Sequence, residues 1–159
     1  MGQQDISDLR CDEIDGRDGF VERERSKTGV KAKHKLWQIT LDLLAEHKHP
    51  KAAGTDRVFL TAGGHPLVRR EIIDGTYKMS DAVKSSFYRV QMKTGINDGR
   101  GFYCLRRTGA TLIETIDPAV TEMYLSHVEP GMKRAYAQRD WGRLERALIE
   151  MEGRLPLRL

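Results

Sequence analysis

The sequence predicts an α+β fold, mostly helical, with a small β-hairpin or sheet near the N-terminus. Three observations predict it. Residues 20–25 and 30–36 read as paired strands around a turn at residues 26–29. Apolar residues at helical spacing recur through residues 101–136, interrupted by Asp117-Pro118 and by Glu129-Pro130-Gly131. Leu144, Ala147, Leu148 and Met151 then make an amphipathic helix near the C-terminus, which needs a hydrophobic partner: its own domain or a neighbouring protomer. At 159 residues the chain is long enough for one real core and is read as a single domain.

Taken in order, Asp5, Ile6 and Leu9 give one or two helical turns, and the run from Asp15 to Gly19 is rich in turn residues. In the second strand Val30, Ala32, His34 and Leu36 alternate with Lys31, Lys33 and Lys35, so a period of two packs the first set and puts all three lysines on one face. That cationic face suits a phosphate backbone, and it equally suits protection of an edge strand against aggregation. Leu36-Trp37 leads into a helix through Leu43, Leu44 and His47. Residues 57–61 read as a strand, Gly63-Gly64 as a turn and residues 66–68 as the return, a second small hairpin. Residues 71–78 are less regular and read as an insertion. Ser80-Asp81 starts a helix with Val83, Phe87 and Val90 as its buried stripe and Gly95 as its C-cap.

The stretch 101–136 holds the residues that carry chemistry. Leu105, Gly109, Leu112, Ile113 and Ile116 form an apolar stripe, with Gly109 allowing close backbone approach. Tyr103, Arg106 and Arg107 share the neighbouring polar stripe. Asp117 caps a second helix that carries Val120, Met123 and Tyr124 inward and stops near Ser126-His127. Pro130 opens a third helix running through Tyr136. His127 therefore sits at a helix end, and Tyr136 meets it only through a bend between helices. An arginine pair, a histidine and a tyrosine in this order suggest phosphodiester chemistry. Taken singly, the tyrosine is also a good core aromatic, the histidine a good capped helix end, and the arginines good surface charges.

Composition narrows the classes. The formal charge is +4, unevenly spread: residues 1–24 carry three arginines against eight carboxylates, residues 25–51 seven Lys/Arg against two. The two cysteines, Cys11 and Cys104, fit neither a disulfide framework nor a zinc site, which points to a reducing, cytoplasmic setting. His47 and His49 lack carboxylate or thiol partners and are read as solvent-exposed, so no metal is expected. No apolar run approaches a membrane span, and Ile6 stands where a myristoylation motif needs Ser or Thr. The absence of a glycine-rich phosphate loop argues against a nucleotide cofactor.

The ordered set Tyr103-x-x-Arg106-Arg107-Thr108, then Leu125-Ser126-His127, then Tyr136 nine residues later resembles the C-terminal catalytic domain of the tyrosine recombinases, the phage integrase family. That family carries H-x-x-R-H-T, then L-G-H, then a tyrosine at the same spacing. The Lys27-Thr28-Gly29 turn resembles the family's hairpin lysine, whereas Lys93-Thr94-Gly95 ends a helix. The segment from Asp5 to Asp15 resembles the family's E-L-x-x-L-R-W-x-D-I-D, so the likeness spans nearly the whole chain. It departs at Tyr103 for His or Lys, Arg107 for His, Ser126 for Gly, and at Gly2, where the family has its first arginine. The N-terminal core-binding domain of the family has no counterpart in the sequence.

The resemblance implies a recombinase-like core, double-stranded DNA as partner and no cofactor. It implies Tyr136 as nucleophile on the scissile phosphate, giving a 3′-phosphotyrosyl intermediate, and Arg106 as the fork on the phosphate oxygens. Lys27 would protonate the leaving 5′ oxygen, and His127 would bind the phosphate or move a proton. Tyr103 would partly replace the usual His or Lys as a donor. Arg107 and lysines 31, 33 and 35 would hold the DNA backbone. The C-terminal helix often docks on a neighbouring protomer in that family, which makes a homo-oligomer on DNA the expected assembly. The alternative from another class is a catalytically inactive DNA-binding or regulatory remnant; an unrelated basic helical module is the third reading.

Overall fold

A computed structural model describes residues 2–24, 29–47, 56–96, 98–127 and 139–156. The elements are α1 (Gln3–Ser7), a 3₁₀ turn (Cys11–Glu13), β1 (Ile14–Asp15), β2 (Phe20–Glu24), β3 (Lys31–Lys35), α2 (Gln38–His47), β4 (Val68–Ile73), β5 (Thr76–Asp81), α3 (Ala82–Thr94), α4 (Tyr103–Ile116), a second 3₁₀ turn (Pro118–Val120), α5 (Thr121–Leu125) and α6 (Trp141–Arg154). The fold is α+β. It forms two compact units, one of Met1–Cys11 and Lys48–Arg107, the other of Asp12–His47 and Thr108–Leu159. Among the described residues no helix is long and apolar enough to cross a membrane.

In the first unit, α1 is tied to the segment before β4 by polar groups. The Ser7 hydroxyl, fully buried, accepts from the Val68 N–H at 2.9 Å, and Arg57 donates to the Ser7 carbonyl and to Asp8 Oδ1 at 2.5 Å each. Leu9, Val58, Leu60 and Val68 are buried beside these bonds. Residues 57–61, expected as a strand, make only the isolated bridge Arg10↔Arg57, because residues 56–58 pair with residues 9–11, just after α1, and not with residues 66–68. The hairpin lies further on. Residues 71–78, expected to be irregular, belong to the β4–β5 hairpin, in register from Val68↔Asp81 to Ile73↔Thr76. Asp74 and Gly75, at φ 52° and 71°, supply the two left-handed positions of a tight hairpin turn.

Asp81 ends β5 and caps α3, accepting from the Lys84 N–H at 2.8 Å, and Gly95 at φ 71° closes the helix. The inward stripe of α3 is Val83, Phe87 and Gln91. Val90, expected on it, is exposed, because the next inward position after Phe87 falls four residues on, at Gln91, whose amide reaches the Arg100 carbonyl at 2.9 Å. Phe87 meets Phe102 edge to face, with ring centroids 5.6 Å apart.

The second unit packs a three-stranded antiparallel sheet, ordered β1-β2-β3, and a helical core. The Asp15 carboxylate closes the turn before β2, and the N–H groups of Asp18 and Arg17 hold its pKa below the ordinary value. The core joins Ile113 from α4, Val120, Met123 from α5, and Leu144, Ala147, Leu148 and Met151 from α6. Each of these side chains except Ala147 is worth about 1.5–3 kcal/mol when fully buried. The apolar stripe of α6, offered above to its own domain or to a neighbouring protomer, thus packs within its own unit. Trp37 fastens the end of β3 to the same helix, its indole N–H donating to the Leu148 carbonyl at 3.1 Å.

Two contacts give testable consequences. A Cβ at Gly109 would lie 2.0 Å from the Tyr124 hydroxyl and 2.9 Å from the ring carbon bearing it. Gly109→Ala should therefore cost about 1–3 kcal/mol of stability, whereas an open helix would gain about 1 kcal/mol; adding Tyr124→Phe should recover part of the loss in a denaturant titration. Asp117 caps the second 3₁₀ turn and pairs with Arg143 of α6, and that pair, ahead of the Ala119 N–H, holds its carboxyl below the ordinary 3.8. A lowered folded pKa stabilises above the unfolded value and loses that stabilisation as pH falls through the folded one. Because asparagine caps as well as aspartate, Asp117→Asn should be less stable than the parent at neutral pH, with melting temperatures converging below about pH 3.8. A gap independent of pH would refute the pairing.

Candidate functional site

Three expected site residues lie on or beside α4, and the helix separates them. Its buried face runs Arg106, Gly109 and Ile113, with Arg106 only 7% exposed. Tyr103 and Arg107, one turn apart, are exposed beside that face. The shared polar stripe expected for Tyr103, Arg106 and Arg107 is therefore corrected. Leu105, expected to be buried, is exposed: the burying face is centred one position later, and the aliphatic stem of Arg106 fills the place of an apolar residue. A buried guanidinium needs partners, and Arg106 has them.

The second unit assembles a different set. Helix α5 ends at Ser126, a buried serine in left-handed conformation at φ 51°, whose N–H returns to the Met123 carbonyl at 3.0 Å. That conformation turns the chain so that the His127 N–H reaches the Glu122 carbonyl at 3.0 Å, while His127 Nδ1 lies 2.9 Å from Glu122 Oε2. A carboxylate only accepts, so this contact puts the proton on Nδ1 and leaves chemistry to Nε2. The imidazole is half exposed.

Strand β3 is held to this turn at two points. The ring of His34, on the inward face, bonds the Tyr124 carbonyl at 3.0 Å and meets the Tyr124 ring edge on. Arg139 donates from one nitrogen to the Lys31 carbonyl and from the other to the His127 carbonyl at 3.4 Å, with its guanidinium 5.6 Å from the Trp141 ring centroid. Arg139 and Glu122 were not legible as site residues. Arg139 sits in a run of charges with no spacing to mark it, and Glu122 is five residues from its partner, off any single helix face.

The lysine face of β3 is less free than alternation alone suggests. Glu24 stands opposite Lys31 and Glu22 opposite Lys33, and Lys33 Nζ is 3.4 Å from Glu22. Lys35 donates to the Asp18 carbonyl at 2.5 Å and lies 4.0 Å from Glu145; both Lys33 and Lys35 sit over the Phe20 ring. Lys31 is exposed. Lys27, which falls between β2 and β3 in the sequence, and Tyr136 lie outside the described residues. Among the described residues no group of three or more His, Cys, Asp or Glu side chains could hold a metal ion.

Ser126 yields a direct test. A residue other than glycine in the left-handed region carries about 1–2 kcal/mol of steric cost, partly balanced by the greater unfolded freedom of glycine. Ser126→Gly should raise the free energy of unfolding by up to about 1 kcal/mol, and Ser126→Val should lower the melting temperature. A destabilised Ser126→Gly would mean that the serine side chain, and not the backbone, sets the turn.

Compared with protein-family models, curated proteins and solved structures, the chain matches none.

Proposed function

We propose that the chain is the catalytic portion of a DNA strand-transfer protein of the tyrosine recombinase type, cutting and rejoining DNA through a 3′-phosphotyrosyl intermediate. The Tyr136 phenolate attacks phosphorus, the bond to the 5′ oxygen breaks, and Lys27 gives that oxygen its proton. Arg106 binds the non-bridging oxygens, whose charge grows in the transition state. His127, its Nδ1 proton held by Glu122, offers the Nε2 lone pair to take the phenol proton of Tyr136 as it attacks. The bond energy is stored in the phosphotyrosine, so rejoining needs no nucleotide.

The observation that carries this reading is the position of Arg139. It stands three residues after Tyr136 and bonds both the His127 carbonyl and the Lys31 carbonyl, at the start of the strand that follows Lys27. Hence the strand that follows Lys27 in the sequence, the turn bearing the histidine and the residues that follow Tyr136 in the sequence are joined by one side chain. The left-handed Ser126 adds support, because it stands where the resembling family has glycine and adopts the conformation glycine favours. Two observations favour the inactive alternative: Gly2 has no side chain to act as the family's first arginine, and Glu22 and Glu24 offset the lysine face.

A nicked suicide duplex, which loses its leaving strand once cut, separates the two. A covalent protein–DNA adduct is expected with the native chain and none with Tyr136→Phe. Arg139→Ala should slow adduct formation by about tenfold to a hundredfold, the effect of misplaced reacting groups, while leaving salt-sensitive duplex binding in place. Binding without adduct under every condition would establish the inactive reading.

A further inference from the structure

We propose that the open cleft between β5 and the first half of α3 binds single-stranded nucleic acid. The cleft measures about 590 Å³ and is lined by Met79, Asp81, Lys84, Ser85, Tyr88 and Arg89, all in the first unit. None of these residues belongs to the strand-transfer reading, and the two proposals stand or fall separately.

The β4–β5 register builds one wall. Directly paired residues share a face, so Arg70↔Met79 and Ile72↔Tyr77 lie on the same face as Val68↔Asp81. Val68 is buried, but Ile72, Tyr77 and Met79 are 76%, 62% and 53% exposed. Helix α3 builds the other wall: Lys84, Ser85, Tyr88 and Arg89 recur at helical spacing on one side, and Tyr88 is also more than half exposed. The single lining carboxylate, Asp81, is engaged with the Lys84 N–H as the helix cap. Two cations thus flank an outward tyrosine, and Arg70 brings a third to the hairpin face.

This alternation fits a strand whose bases are open. Tyrosine and methionine offer flat or polarizable surface for bases, and lysine and arginine take the phosphates between them. A duplex hides its base faces within the stack and could use only the cations. An acidic peptide would use the cations but has no call for outward aromatic rings.

The test is the fluorescence anisotropy of a labelled oligothymidylate across a salt series, with unlabelled duplex as competitor. The single strand should bind more tightly than the duplex. Lys84→Glu with Arg89→Glu should weaken it by about tenfold or more and shrink the salt slope by about 1.4, or about 0.7 for each lost phosphate contact. Tyr88→Ala should cost about fivefold or more, and Tyr88→Phe should restore binding, since the ring and not the hydroxyl stacks. All three positions are at the surface, and matched thermal melts establish that each variant is folded. Equal competition by duplex, charge reversal without effect, or equal losses in Tyr88→Ala and Tyr88→Phe would each overturn the proposal. A dimer by sedimentation that Tyr88→Ala splits would overturn it too, giving the cleft to a second copy of the chain.

Discussion

The second unit depends on a guanidinium that satisfies two backbone carbonyls belonging to distant parts of the chain. Arg139 is 108 residues from Lys31, yet it bonds the peptide oxygen there and another at His127. The planar fork, with its donors fixed in direction, serves both acceptors with little loss of freedom. The Trp141 ring beneath it limits the fork's freedom. Besides this tie, β3 is held by its ladder to β2, by the His34 bond to Tyr124 and by Lys35 at Asp18 and Glu145. The functional reading and the architecture of the unit therefore rest on the same contact.

Around that tie, the core works by allowing close approach. Gly109 admits the Tyr124 ring against α4, which places α5 and its terminal turn, and α6 covers the remaining face with an uninterrupted apolar stripe. The Asp117–Arg143 pair fixes α6 from outside the core, where water weakens it. Its value is positional, since it joins the cap of the α5 segment to the first turn of α6.

What was legible in the sequence was whatever depends on local periodicity. The stripe Leu144, Ala147, Leu148 and Met151 is the buried face of α6, the Asp117-Pro118 start and the Ser126 stop fall where capping chemistry puts them, and the period-two lysines lie on β3. What was not legible depends on partners. Val58 has strand-like neighbours but pairs with Leu9, just after α1, and nothing local to residues 57–61 announces that. Leu105 and Arg106 exchange roles because tertiary packing selected the neighbouring face of the helix, and a long side chain with an apolar stem can lie on either. The β4–β5 hairpin carries one of the strongest short turn signals, Asp74-Gly75, but its first strand, Val68 to Ile73, does not alternate apolar with polar residues as a half-buried strand would. The lysine face is visible in the alternation of β3 alone, whereas the glutamates of β2 that stand opposite it depend on the pairing register.

The hairpin also has an architectural meaning. Because Val68 faces Asp81 across the ladder, the polypeptide leaves the body of the first unit and rejoins it at one place, and Asp81 at that junction is already the cap of α3. Everything beyond this neck is a detachable arm. Its reach can lengthen, shorten or change chemistry while the helix it feeds stays in position, leaving this part of the molecule free to acquire specificity without renegotiating its core.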